Sequence, residues 1–364
     1  MEHPVIIIGA GLSGLRAATL LTAQGIDCKI LDSRSRIGGR ALSSLNPNEP
    51  ELGKFDLGPT WFWPRYERTI AKLVQELHLE TFDQHTEGAM LFERYDNQAP
   101  ERHILPAHSL ERSVRFTGGV QSLIDALARK LPSNLFELET RVTTIKLNDQ
   151  RSIIISADLA DGKTKDFMAR AVILALPPRL VARDMTFIPT FSPEMNLNLT
   201  NKPTWMAGQA KAIVVYDDPF WRKDGLSGFA SSWVGPLQEI HDASPHTGSG
   251  ALFGFFGMLP KDRQQLGEKQ VLEQVKEQLI RLFGSQAKKV RTILYKDWSV
   301  DLDTAISEDS IQLQNFPNYG EIPVVGEWEN KIVFAGTETN SEFGGHLEGA
   351  LQSAELAVSI IVNR

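Results

Sequence analysis

The chain predicts an α/β fold in which a parallel-sheet domain is interleaved with a smaller α+β domain, and three observations predict it. Near the start, the apolar run Val5-Ile6-Ile7-Ile8 enters Gly9-Ala10-Gly11-Leu12-Ser13-Gly14, a helical pattern over residues 15–23 and a second apolar run ending at Asp32. Near the end, Lys331-Ile332-Val333-Phe334 leads through Ala335-Gly336-Thr337-Glu338-Thr339 to Gly344-Gly345-His346-Leu347-Glu348-Gly349-Ala350 and a helix to about residue 362. The length, 364 residues, exceeds what one hydrophobic core usually supports, so two domains are expected.

Each part of the first unit has a physical task if a dinucleotide lies there. Gly9 permits a tight turn, Gly11 lets backbone approach a pyrophosphate where a Cβ would collide, and Gly14 lets the helix pack closely on its strand. The helix start, with Leu12 and Ser13, offers unpaired N–H groups and a positive dipole end to an anion. Asp32, followed by Ser33 and Arg34, stands where a carboxylate accepts hydrogen bonds from a ribose diol. Gly38-Gly39-Arg40 follows too soon for another helix, so the chain loops back and Arg40 can neutralise the same phosphates.

The terminal unit distinguishes the cofactor class. NAD needs one helix N-terminus, whereas a flavin needs a second, because its reduced ring gathers negative charge near N1 and the C2 carbonyl.

Composition excludes several functions. Apolar residues at 42% and charged residues at 23% describe a globular protein. A formal charge of −7 argues against a nucleic-acid partner, and Lys288-Lys289 and the turn Lys163-Thr164-Lys165 are expected to be solvated surface. Cys28, the single cysteine, allows no internal disulfide and is expected to act as a small buried hydrophobe. The eight histidines show no metal-ligand spacing beyond the loose pair His103 and His108, so no metal is expected. The apolar start lacks a basic leader, and no apolar span follows the last helix. No membrane anchor and a cytoplasmic location are therefore expected.

The chain resembles the flavin-containing amine oxidase family, which includes monoamine oxidases, polyamine oxidases and L-amino-acid oxidases. The matching stretches are residues 7–40, Asp56-Leu57-Gly58-Pro59-Thr60-Trp61, Thr117-Gly118-Gly119-Val120, residues 171–177, Lys211 with Asp218-Pro219-Phe220-Trp221, Trp298 and residues 334–350. The resemblance implies a Rossmann-like FAD-binding domain (residues 1–62, 116–178 and 301–364) interleaved with a smaller α+β substrate domain (63–115 and 179–300), trimmed relative to the family. Patterns within these bounds predict helices over 69–79, 120–131 and 269–283. They also predict strands over 141–147, 152–158, 171–176, 210–216, 228–234, 251–257 and 292–298, with Pro177-Pro178 ending the third.

The resemblance further implies oxidation of a neutral amine, with a hydride equivalent passing to flavin N5, imine hydrolysis, and reoxidation by O2 or another acceptor. Lys211, in an apolar strand pattern, matches the lysine that contacts flavin N5 through water; the alternative is an outward-facing strand lysine. Trp298 matches a tryptophan packed on the ring, and Gly58, Pro59, Thr60 and Trp61 match the loop beside it. Val142 matches the backbone that holds the adenine, and Glu338, with Gly336, Thr337, Gly345, His346 and Leu347, matches the C-terminal flavin motif. Glu348 is expected to cap or pack around the last helix.

Two departures bear on the substrate. Monoamine oxidases flank the amine with two aromatic rings, one beside a cysteine linked to the flavin; the matching positions here are His346 and the Ser307-Glu308 region. No aromatic cage and no covalent flavin are therefore expected, and His346 with Glu308 would suit a polar or cationic substrate such as a polyamine or amino acid. Two other readings stay open: a same-fold flavoprotein acting on C–C bonds, as in desaturases and protoporphyrinogen oxidases, and an FAD-binding interaction protein without turnover.

Overall fold

A computed structural model of the chain describes residues 3–106, 109–148, 150, 152–246, 248–311, 313 and 315–363. Its first layer is a five-stranded sheet, in spatial order Phe136–Glu137, Cys28–Leu31, Val5–Ile8, Ala171–Leu174 and Ile332–Phe334, parallel throughout. Val5–Ile8, Ala171–Leu174 and Ile332–Phe334 are buried on both faces, which is why they appear in the sequence as continuous apolar runs rather than alternating ones. Ile7, Ile30, Ile173 and Val333 face the first helix (Leu12–Ala23), the helix Gln121–Ala128 and the last helix (Leu347–Val362). Ile6, Ile8, Val172 and Leu174 face a second core beneath a four-stranded sheet.

That second sheet runs in the order Thr164–Ala169, Ile153–Leu159, Thr140–Leu147, Thr186–Ile188. The sequence patterns anticipate its central hairpin but not its edges. Thr164 opens a strand rather than lying in a turn, because it pairs antiparallel with Asp158, while Lys165 lies 3.1 Å from Glu137 with its ammonium over the Phe167 ring. Thr186–Ile188, from the stretch assigned to the substrate domain, pairs in parallel with Thr140–Leu147.

The third layer is a seven-stranded sheet in the order Thr292–Asp297, Ala210–Tyr216, Gly250–Phe256, Leu237–Asp242, Leu226–Ser232, Ala89–Glu93, Glu101–His103. Leu237–Asp242 escapes the pattern reading because Gln238, Glu239, His241 and Asp242 interrupt its alternation. One face packs on helix Glu268–Phe283 through Val271, Val275, Leu279 and Leu282. The other packs through Ile213, Val215 and Phe253 on Leu52, Phe55 and Leu57. This last contact brings the lysine strand, Ala210–Tyr216, against the loop that follows Arg40. No described helix is long and apolar enough to cross a membrane.

Candidate cofactor and substrate cavity

The first helix begins at Leu12, with Gly11 at the cap position and no side chain capping its N-terminus. Gly9 has φ +108°, and a Cβ there would fall 2.5 Å from the Ala175 carbonyl oxygen. At Gly14 a Cβ would fall 1.9 Å from the Gly9 carbonyl oxygen. Both glycines are thus required by the protein itself. Gly11 is different: a Cβ there would meet nothing nearer than the Gly38 carbonyl oxygen at 4.0 Å, and the residue lines a cavity of about 460 Å³. The open space and the uncapped helix end leave room and donors for an anion at that point.

The same end gathers most of the predicted nucleotide residues. Asp32 is buried and pinned by the N–H groups of Ala10 (2.6 Å) and Arg34 (2.8 Å); burial outweighs these bonds and raises its pKa. Ser33 donates to Asp303 (2.9 Å), while the Arg34 guanidinium is engaged by Asp301 (2.7 and 3.1 Å) and Thr304 (2.9 Å). Arg34 therefore organises the wall rather than offering a free fork. Gly38 and Gly39, at φ +98° and +57°, fold the chain back, and Gly38 N–H donates to Ala10 O (2.8 Å). Val142 stands where the pairing of Thr140–Leu147 shifts register, with its side chain buried at the cavity wall.

Arg40 connects this end to the C-terminal motif. Its Nη1 lies 2.7 Å from Oε1 of Glu338, which is completely buried, and neither carboxylate oxygen has an aligned hydrogen-bond donor. Gly336 is required by Leu176, whose carbonyl oxygen would lie 2.6 Å from a Cβ there. Thr337 Oγ1 donates to the His346 carbonyl (2.9 Å), and Ser13 donates to the Ala335 carbonyl, so the two glycine units are bonded together. Gly345, at φ +81°, lies under Trp205, and His346 opens the last helix with no side-chain cap, followed by Leu347. Two uncapped helix N-termini thus border one cavity. Together with the unfilled space at Gly11, they fit a dinucleotide carrying a second electron-rich end.

At that second end, Lys211 is 2% exposed on its strand. Its ammonium donates to Gly58 O (3.0 Å) and Thr60 Oγ1 (2.5 Å) and stands 4.0 Å from the Phe253 ring centroid. Burial drives its pKa from an ordinary 10.5 to about 7; Arg115 pushes the same way and Asp56 opposes. Gly58 is required by Arg40, whose carbonyl oxygen would sit 1.9 Å from a Cβ. Trp298 is buried, donates from Nε1 to Leu57 O (2.9 Å), and carries the Lys296 ammonium 4.8 Å from its ring centroid. Pro59 and Trp61 complete this wall, Trp61 meeting His241 edge-on at 5.1 Å.

Three predicted positions lie off the cavity lining. Gly14 and Glu338 sit just behind it. Glu308 must be corrected: it lies in the exposed turn Ser307–Ser310, facing solvent beside Ser307 Oγ (2.8 Å). The turn is held by its neighbour Asp309, which is buried on Arg179 (2.5 Å) and Ile306 N–H (3.0 Å), and this rotates Glu308 outward. The acid that does meet His346 is Glu67, whose Oε1 lies 2.9 Å from Nδ1 and whose Oε2 accepts Trp63 N–H (2.7 Å).

Sequence patterns missed Glu67 because nothing in residue order places it beside His346, 279 positions away. The cap of helix Arg68–Glu76 is Glu348, which accepts Thr69 N–H (2.9 Å) and Ile70 N–H (2.8 Å) from the last helix. Aromatic walls are also present, supplied by Trp61, Trp63 and Trp205 rather than at positions 308 and 346. Trp205-Met206, shortly before Lys211, was the available signal. Cys28 is buried in its strand, away from this lining. Among the described residues no three His, Cys, Asp or Glu side chains are grouped to hold a metal; His103 lies on an exposed edge strand, and His108 is outside the described residues.

The profile of the family "Flavin containing amine oxidoreductase" matches residues 92–362, and that of "NAD(P)-binding Rossmann-like domain" matches residues 7–77. Flavin-containing amine oxidase of Danio rerio is 25% identical over 98% of this chain and 85% of its own. Flavin-containing amine oxidase B of Homo sapiens is 23% identical over 99% and 86%. The solved structure of putrescine oxidase bound to putrescine superposes with a TM-score of 0.79 at 20% identity, covering 100% of both chains. Cyclohexylamine oxidase from Brevibacterium oxydans superposes with a TM-score of 0.77 at 18% identity, covering 100% of this chain and 99% of its own. The chain belongs to the flavin containing amine oxidoreductase family, as the motifs implied, with the Rossmann-like fold those motifs predict.

Proposed function

We propose that this member of the family binds FAD without a covalent link and oxidises a C–N bond of an amine, with O2 as the electron acceptor. The observation that carries the reading is Lys211, a lysine buried in the cavity wall and brought to about pH 7. When bound, the flavin supplies the hydride acceptor. The residues of the chain orient, shield and manage protons around it.

Gly58 O and Thr60 Oγ1 hold the Lys211 Nζ in one place, and its pKa lets that atom take up or release a proton near neutrality. Trp61, Trp298 and Phe255 give the same region an apolar wall that excludes bulk water. The Gly11 helix end and the Arg40 guanidinium, whose charge is shared with Glu338, would hold the pyrophosphate, and the uncapped N-terminus of the last helix would offer donors to the electron-rich part of the ring. The position of Cys28, off the cavity, supports a non-covalent flavin.

The test is to mix the FAD-loaded protein anaerobically with amines, polyamines and amino acids, watch the yellow absorbance, then admit air. Bleaching by an amine, with colour returning in air and peroxide released, is the expected result. Bleaching that persists in air would move the acceptor from O2 to another carrier. Bleaching by a substrate without a C–N bond to oxidise would favour the C–C reading, and a tight flavin bleached by none would leave an interaction protein.

A further inference from the structure

Glu67 and His346 form a pair that the amine reaction as described leaves without a task. Glu67 is 2% exposed and stands just before the cap helix, and His346 opens the last helix; 279 positions separate them. The carboxylate accepts Trp63 N–H through Oε2 (2.7 Å) and faces His346 Nδ1 through Oε1 (2.9 Å). A carboxylate can only accept, so the hydrogen belongs on Nδ1, which leaves Nε2 as the atom where the ring can accept a proton. The Trp63 ring, 5.7 Å away at 33°, and the Phe316 ring, edge-on at 6.2 Å, fix the plane of the imidazole, and both Glu67 and His346 border the cavity.

We infer that the Glu67–His346 pair is the proton acceptor for an incoming alkylammonium ion, converting it to the free amine inside the cavity. The inference rests on the amine reading above. Aliphatic amines have pKa values near that of lysine, about 10.4, so at neutral pH they arrive protonated, and only the neutral nitrogen has a lone pair to assist hydride loss from its carbon. The N–H bond of the ammonium breaks, its electron pair stays on the nitrogen, and the proton forms a new bond to Nε2. The resulting imidazolium is held by the Glu67 carboxylate, in the manner of a carboxylate-oriented histidine base. No oxidant or further reactant enters this step. The ligand class is a primary or secondary alkylammonium with at least one N–H directed at His346.

Other charges around the pair have separate engagements. Glu348, on the same helix, accepts from the cap helix backbone; Glu338 faces Arg40; Tyr319, beside Phe316, donates to Pro203 O (2.6 Å). Lys211, on another wall of the cavity, is itself brought to about 7, so the test compares variant with parent at each pH.

The experiment uses FAD-loaded protein, parent, His346→Gln and Glu67→Gln, each checked for flavin content. With ¹⁵N-histidine labelling, the His346 signals, assigned by their loss in His346→Gln, should show hydrogen on Nδ1 in the parent and a mixture of tautomers in Glu67→Gln. A parent with hydrogen on Nε2, or no change in Glu67→Gln, overturns the pairing. For an alkylamine that bleaches the parent, anaerobic bleaching by His346→Gln should be at least 10-fold slower at pH 7 and within about 4-fold of the parent at pH 10, where about a quarter of the amine already arrives neutral. Glu67→Gln should show the same pattern, less strongly. A loss equal at both pH values overturns the proton transfer alone, whereas a parent bleached by no amine overturns the amine reading and the transfer with it.

Discussion

The two ends of the cavity are built on opposite plans. At the end where the proposed cofactor would place its phosphates, backbone from a single local unit forms the wall: Gly9, Gly11 and Gly14, one helix start, and Asp32 at the tip of the next strand. At the end where its ring would lie, side chains from distant segments meet: Lys211 on the seven-stranded sheet, Thr60 on the loop after Arg40, Trp298 after an edge strand, and His346 with Glu67 from two helix starts. The comparison teaches that binding the common part of a cofactor needs a local backbone shape. Handling protons beside it needs buried, matched side chains, which only a closed tertiary structure provides.

The largest effect is expected at the ring end. Lys211→Met should slow reoxidation in air by about 100-fold or more while leaving FAD bound, measured by stopped-flow after anaerobic reduction. The same variant should be more stable than the parent, by at most about 5 kcal/mol, because a buried ammonium is removed. Its pH dependence has a definite sign. Below pH 7 the lysine is protonated whether the chain is folded or unfolded, and the variant keeps its full advantage. Between about 7 and 10.5 the unfolded parent binds the extra proton, so parent stability climbs and the gap closes. A gap that widens with rising pH would break the assignment.

At the phosphate end the comparison can be sharpened within one turn of chain. Gly14→Ala pushes a methyl group into backbone and should cost about 3 kcal/mol, read as a lower denaturation midpoint without cofactor. Gly11→Val, three residues earlier, should leave that midpoint nearly unchanged and abolish FAD retention on gel filtration, because its side chain fills ligand space. Smaller still is Glu348→Ala, which strands two N–H groups of the cap helix and should cost about 1 to 2 kcal/mol in denaturant titration. Glu308→Gln, on the exposed turn, should leave turnover of a dicationic amine unchanged.

How much of this was legible in the sequence follows the same division. The central parallel strands, the first and last helices and the glycine turns announce themselves because each is specified by neighbours in sequence: runs of β-branched residues, helical spacing, and glycines where φ is positive or backbone is close. The strands Leu237–Asp242 and Ala89–Glu93 do not, since their place in the sheet is decided by partners. Glu308 and Glu67 make the point in the site. An acid in a turn can face either way, and Asp309 on Arg179 turned Glu308 outward; Glu67 reaches His346 across 279 positions, while Glu348 accepts from the cap helix.

By itself the sequence determined the glycine turn and bare helix start after the first strand, a second such unit near the last helix, and that Lys211 sits on an apolar strand. Backbone shape is local, and local rules are written in residue order. Only the tertiary structure decided which carboxylate reaches the histidine, how far burial moves the lysine toward neutrality, and which aromatic rings wall the cavity. Those properties depend on distance and on the exclusion of water, and both come into being when remote segments close on one another.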